Sequence, residues 1–142
     1  MKKGMGEIIL EVRKEKSKAK KIELLRFYDH PVLRGMMELA YDERLTWALP
    51  EGVPPYTPLA KSMDAQGHLY ADMRRMYLFL EGGHKTIKPL RRESIFVTML
   101  EELDPDDAAL LCEVKNRSVK GVTKQVVKEA FPDFLIDPAN TI

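Results

Sequence analysis

Apolar residues recur at helical spacing along nearly the whole chain, and proline or glycine stands at most of the places where that rhythm stops. A stripe of period 3.6 is stable only when its face is covered by another element, so a run of such stripes predicts helices packed on helices. There is no strand-like alternation of useful length, no internal repeat and no low-complexity segment. The expected fold is all-α: a single compact helical domain of about seven helices over residues 1–142.

The elements follow from the stripes and their caps. Ile8, Ile9 and Val12 mark a first helix. Ser17 suits the N-cap of a second, with Ile22, Leu24, Leu25 and Phe27 as its stripe. Asp29 is expected to cap a third, with Pro31 just inside its start and Val32, Leu33, Met36, Met37, Leu39 and Ala40 facing inward. Asp42 opens a further short turn through Leu45 and Trp47. Four prolines and two glycines between residues 49 and 67 forbid regular helix and predict a long Pro-rich loop. Tyr70, Met73, Met76, Tyr77 and Leu80 mark the next helix, stopped by Gly82-Gly83. A helix from about Arg91 to Leu103 follows. Asp104-Pro105 then reads as N-cap and first helical residue of another. A last helix is expected from about Thr123 to Ala130, before Pro132 and a tail over 133–142. Phe27, Tyr28, Tyr41 and Trp47 are spaced as core or core-edge positions, and the eight methionines suit an adaptable core.

Composition bounds the class. With 142 residues, 44% hydrophobic and 32% charged, the chain has the make-up of an ordinary globular domain. No apolar run approaches the roughly 18 residues of a membrane span, and no apolar h-region follows Met1-Lys2-Lys3-Gly4. The single cysteine, Cys112, fits a reducing compartment. A cytoplasmic protein is the expectation. Net charge is only +1, but the charge is segregated. Arg13, Lys14, Lys16, Lys18, Lys20 and Lys21 face one acid, Glu15; Lys85, Lys88, Arg91 and Arg92 form a second group; Lys115, Arg117, Lys120, Lys124 and Lys128 form a third. Such clusters are either solvated helix faces or parts of a basic surface.

Constellations for chemistry are scarce. His30, His68 and His84 are isolated, and none pairs with Cys112 at metal-ligand spacing. Cys112 lies among Leu110, Leu111 and Val114, the setting of a buried structural thiol. Gly82-Gly83 lacks the Lys-Ser/Thr of a phosphate loop. No catalytic residue, metal or cofactor is implied.

The segment Glu113 to Pro132, EVKNRSVKGVTKQVVKEAFP, is a helix, a basic turn with one glycine, and a short helix ending in aromatic-Pro. It resembles the last part of the DNA-binding domain of phage and cellular ATP-dependent DNA ligases, with Gly121 and Phe131-Pro132 in the matching places. The earlier segments Met5 to Ile9, Lys18 to Leu25, Leu33 to Met37 and Ala40 to Asp42 follow in the same order, so the resemblance covers about residues 5–135. Asn116-Arg117 and Ser118 stand where the family has Arg-Asp and Leu. The Lys-x-Asp-Gly motif, whose lysine takes AMP in ligases, is absent.

The resemblance implies a stand-alone, phage-type DNA-binding domain that does no ligation. It implies sequence-independent grip on double-stranded DNA across the minor groove, through phosphates. The residues it places there are Lys115, Asn116, Arg117, Lys120, Gly121, Thr123 and Lys124. Gly121 would admit a phosphate, and Thr123 would open a helix N-terminus towards it. A second group is Arg91, Arg92 and Ser94. Lys115, Arg117, Lys120, Lys124, Arg91 and Arg92 are expected on one continuous face. Reversing Arg117 and Lys120 to Glu should then weaken binding without unfolding the chain. The alternative is a protein-interaction module that reuses the helical fold to hold a replication or host protein; the Pro-rich loop and near-neutral charge favour it.

Overall fold

The computed structural model describes residues 3–60 and 68–133. Among them are seven α-helices, one 3-10 helix and no strand, so the chain is all-α. The helices are α1 (Met5–Lys14), α2 (Lys18–Phe27), α3 (Pro31–Tyr41), α4 (His68–Asp72), α5 (Pro89–Glu102), α6 (Pro105–Lys115) and α7 (Lys124–Ala130).

The organising element is α6. Asp104 accepts a hydrogen bond from the Asp106 N–H at 3.0 Å, and Pro105 takes the first helical position. Ala108, Leu110, Leu111, Cys112 and Val114 are all buried, on a broad face that leaves only the Asp106, Ala109 and Glu113 side towards solvent. A helix with so broad a buried face must be covered by several neighbours at once. Accordingly α1, α3 and α5 pack on α6, while α2 packs on α7 and α1. The core is rich in methionine: Met5, Met36, Met37, Met76 and Met99 are buried, which answers the expectation of a soft, adaptable interior. Burial also pushes the Cys112 thiol up from its ordinary pKa.

Several boundaries differ from expectation, each for a local reason. Asp29 does not cap α3. Its carboxylate pairs with Arg34 at 2.7 Å on both oxygens, and His30 Nδ1 accepts from the Val32 N–H instead. Asp42 does open a short turn after Tyr41, as expected: the Leu45 N–H donates to Asp42 C=O at 3.1 Å, and the Asp42 carboxylate accepts from both the backbone and the guanidinium of Arg44. The helix expected through Met73 is α-helical only in α4 and then tightens to a 3-10 helix, Met73–Phe79. It ends before Gly82, since Leu80 pairs with Trp47: Ala48 N–H donates to Phe79 C=O at 2.7 Å and Glu81 N–H to Thr46 C=O at 2.8 Å. Helix α5 starts at Pro89, two residues before Arg91. Phe27 is not a core residue; it is 77% exposed. Residues 49–60 form irregular loop as expected. The remainder of that loop, 61–67, and the tail beyond 133 lie outside the described residues.

One buried carboxylate makes the α1–α6 contact sensitive to pH. Asp107, 2% exposed, accepts from the Gly6 N–H at 2.7 Å, and its other oxygen has no partner among the described residues. Burial, with help from Asp104, Asp106 and Glu7, raises its pKa from 3.8 to about 6, against the lowering effect of Gly6. The folded state therefore binds this proton more tightly than the unfolded chain, and stability falls as pH rises from about 4 to 6. The loss is on the order of 2 kcal/mol. Asp107→Asn cannot ionise, so its melting temperature should improve relative to wild type between pH 4.5 and pH 7. Parallel melting curves for the two proteins would refute the shifted carboxyl.

Candidate nucleic-acid interface

The turn from α6 to α7 is fixed from both sides. Asn116 is the C-cap of α6, and Arg117 follows with φ 59°, in the left-handed region. Arg117 N–H donates to Val114 C=O and Ser118 N–H to Glu113 C=O, both at 3.0 Å. This is the Schellman closure, with arginine where glycine is usual. The strain, about 1 kcal/mol for a non-glycine residue, needs an offset. The guanidinium supplies it by donating to Leu45 C=O at 3.0 Å and Asp42 C=O at 2.6 Å. Arg117 thus points into the protein and ties the turn to the end of α3. Arg117→Glu removes both bonds and sets a carboxylate beside Asp42, so it should cost roughly 2–4 kcal/mol. A melting temperature equal to wild type would contradict this. Contrary to expectation, it is not a neutral probe of binding.

Lys115 is likewise turned in. It is 5% exposed, and its Nζ donates to Pro50 C=O at 2.6 Å. Burial lowers its pKa. The Asn116 side-chain oxygen accepts from the Gly52 N–H at 3.3 Å. Lys124 pairs with Glu43 at 3.1 Å. Thr123 caps α7 by accepting from the Val126 N–H.

Gly121 has φ 75°, yet what approaches it closely is Arg13: a Cβ there would lie 2.9 Å from Arg13 Cγ. Arg13 Nε donates to Lys120 C=O at 2.7 Å, and its Nη2 meets Glu113 at 2.8 Å. The same Glu113 oxygen accepts from the Lys120 N–H at 2.8 Å. Lys21 Nζ donates to Gly121 C=O at 2.7 Å. The first and third basic clusters are therefore joined at one place, by contacts that span 100 and 107 positions of sequence. Lys14, Lys16, Lys20 and Lys120 are exposed there, and none of the four makes a side-chain hydrogen bond or ion pair within the described residues. Lys18 is exposed but pairs with Glu129. The second cluster stands apart. Arg91 and Ser94 are exposed on the first turns of α5, while Arg92 Nε is spent on Leu78 C=O at 2.9 Å. The segment Leu49 to Gly52, carrying Glu51, separates this helix start from Asn116 and Arg117. No continuous face holds all six expected cations.

The sequence reading missed Arg13 and Lys21 as organisers of the site, and Lys14, Lys16 and Lys20 as its exposed charges. The density of that cluster was visible; its partner across the chain was not. Among the described residues, no three His, Cys, Asp or Glu side chains are placed to hold a metal ion, and no helix is long and apolar enough to cross a membrane. No curated protein and no solved structure matches the chain. A family model does, over residues 8–121, which runs from within α1 through α6 and the turn up to Gly121. The chain belongs to that family, described as a family of unknown function (DUF6433).

Proposed function

We propose that this chain is a non-catalytic, sequence-independent binder of double-stranded DNA, gripping phosphates with the surface where the α1–α2 junction meets the Lys120–Gly121 turn. The observation that carries the reading is the clasp of Arg13 and Lys21 on the two carbonyls of that turn. It fixes a backbone platform and leaves Lys14, Lys16, Lys20 and Lys120 to solvent. Cations spaced along a rigid platform and not consumed by internal pairs suit a phosphate track. The resemblance of residues 5–135 to ligase DNA-binding domains supports the same reading, and the absent adenylation lysine supports the lack of ligation. Contacts of this kind position a protein without reading bases.

Titration with intact, nicked and single-stranded DNA at two salt concentrations tests it. Duplex affinity should be independent of sequence and fall steeply with salt. No binding at low salt sinks the proposal. A second reading, an interaction module for another protein, draws on one observation. Leu90 is 81% and Val53 62% exposed beside a cleft of about 610 Å³ between the Pro-rich loop and α5. Affinity that ignores salt and DNA altogether would leave that reading standing.

A further inference from the structure

We propose that Lys115 and Asn116 form a further phosphate-contact point, covered in this state by the Pro-rich loop and uncovered when a duplex docks. The inference rests on the DNA-binding reading and names how part of that surface is regulated.

The loop sits where a phosphate would. Pro50 C=O takes the Lys115 ammonium, and the Gly52 N–H takes the Asn116 side-chain oxygen. These are the ties of the segment between Ala48, held by Phe79 C=O, and Thr57, held by Glu101 at 2.8 Å. Leu49 and Tyr56, near its two ends, also pack against the core, while the stretch between them borders the 610 Å³ cleft that lies towards α5. Gly52 has φ 88°, and a Cβ there would meet nothing within 4 Å, so no side chain packs over this point of the loop.

The exchange has a driving force. The Lys115 ammonium is buried with no carboxylate at ion-pair distance among the described residues. A carbonyl dipole is a weaker partner for a buried charge than an anion is. A phosphate offers full counter-charge. Asn116, turned from the Gly52 N–H, could present its own amide N–H to the same group. Lys115 and Lys120 also flank one turn, so uncovering the first extends the phosphate track begun by the second. Glu51 would leave with the loop, removing one of the acids that line the two clefts; Glu43 and Glu93 stay.

The test is the salt dependence of duplex affinity for wild type, Lys115→Met, Lys115→Arg and Lys120→Glu, with amide hydrogen exchange of the wild type with and without duplex. Each lost phosphate contact lowers the slope of log K against log salt by about 0.9. Lys115→Met should therefore flatten the slope by about one contact, and Lys115→Arg should keep it. The Gly52 and Val53 amides should exchange faster on the duplex. An unchanged slope in a folded Lys115→Met, beside a reduced one in Lys120→Glu, overturns this inference while the DNA reading survives. Slower exchange at Gly52 and Val53 on the duplex overturns it as well, and that measurement decides should Lys115→Met fail to fold. If wild type shows no salt-dependent duplex binding, the DNA reading fails and this inference with it.

Discussion

Gly6→Ala is expected to lower the melting temperature by roughly 10 °C, a large effect for a single methyl group. The reason is the approach of two backbones. A Cβ on Gly6 would lie 2.5 Å from the carbonyl carbon of Asp106, 2.6 Å from its oxygen and 2.8 Å from the Asp107 nitrogen. None of these atoms belongs to a flexible side chain. Helix α1 would have to lift from the start of α6 by most of an ångström. That movement opens the layer formed by Met5, Ile9 and Val12 and stretches the hydrogen bond from Gly6 N–H to Asp107. Overpacking costs about 1–3 kcal/mol, and leaving a buried carboxylate without its donor adds a similar amount. The better helix propensity of alanine returns only about 1 kcal/mol. The same exchange at Gly35 should have the opposite sign. Its Cβ would meet only the terminal Cε of Met73, at 3.2 Å, and a methionine end moves easily. Gly35→Ala should therefore be neutral or raise the melting temperature. Equal melting temperatures for the two variants would show that the α1–α6 approach is not what limits stability.

That contrast indicates what a sequence of this kind makes legible. Asp104-Pro105 announces its helix because capping and the proline ring act within two residues, and the structure has both in place. The same logic applied to Pro89 would have set the start of α5 correctly, since proline takes the first position there too. His30 replaces Asp29 as a cap because Arg34, one turn on, claims the carboxylate; the competitor was local but its geometry was not written in the pattern. Gly6 and Gly35 look alike in sequence, and only packing tells them apart. The candidate site divides in the same way. Positive charge is readable, but its direction is not. Lys115 and Arg117 belong to the cluster that looked most like a DNA contact, yet the chain folds Pro50, Asp42 and Leu45 over them and consumes their donors. Arg13 and Lys21 lie at the other end of the sequence and turn out to hold the turn together.

The triple reversal Lys14→Glu, Lys20→Glu, Lys120→Glu should reduce duplex affinity by on the order of 100-fold or more near 0.1 M salt, with every sequence affected alike. Releasing condensed counterions at one phosphate contact is worth about 1.2 kcal/mol at that ionic strength, roughly eightfold in affinity. Three lost contacts multiply to between 100-fold and 1,000-fold by this rough reckoning, and three introduced carboxylates add repulsion from the duplex. The slope of log K against log salt should fall by nearly three. Folding should be kept, because none of the three side chains makes a hydrogen bond or ion pair within the described residues, and their neighbours Arg13 and Lys21 retain the clasp. This is what separates the variant from Arg117→Glu, where any loss of binding would be entangled with damage to the turn. A control reversal at Arg91 addresses the rest of the surface. It is exposed on the first turn of α5. If the α1–α2 junction carries the grip, the Arg91 reversal costs at most the roughly eightfold loss of one contact. A triple variant that melts like wild type and still binds duplex with wild-type affinity and salt slope would remove this face from the account. A large loss from Arg91→Glu alone would move the interface to the start of α5.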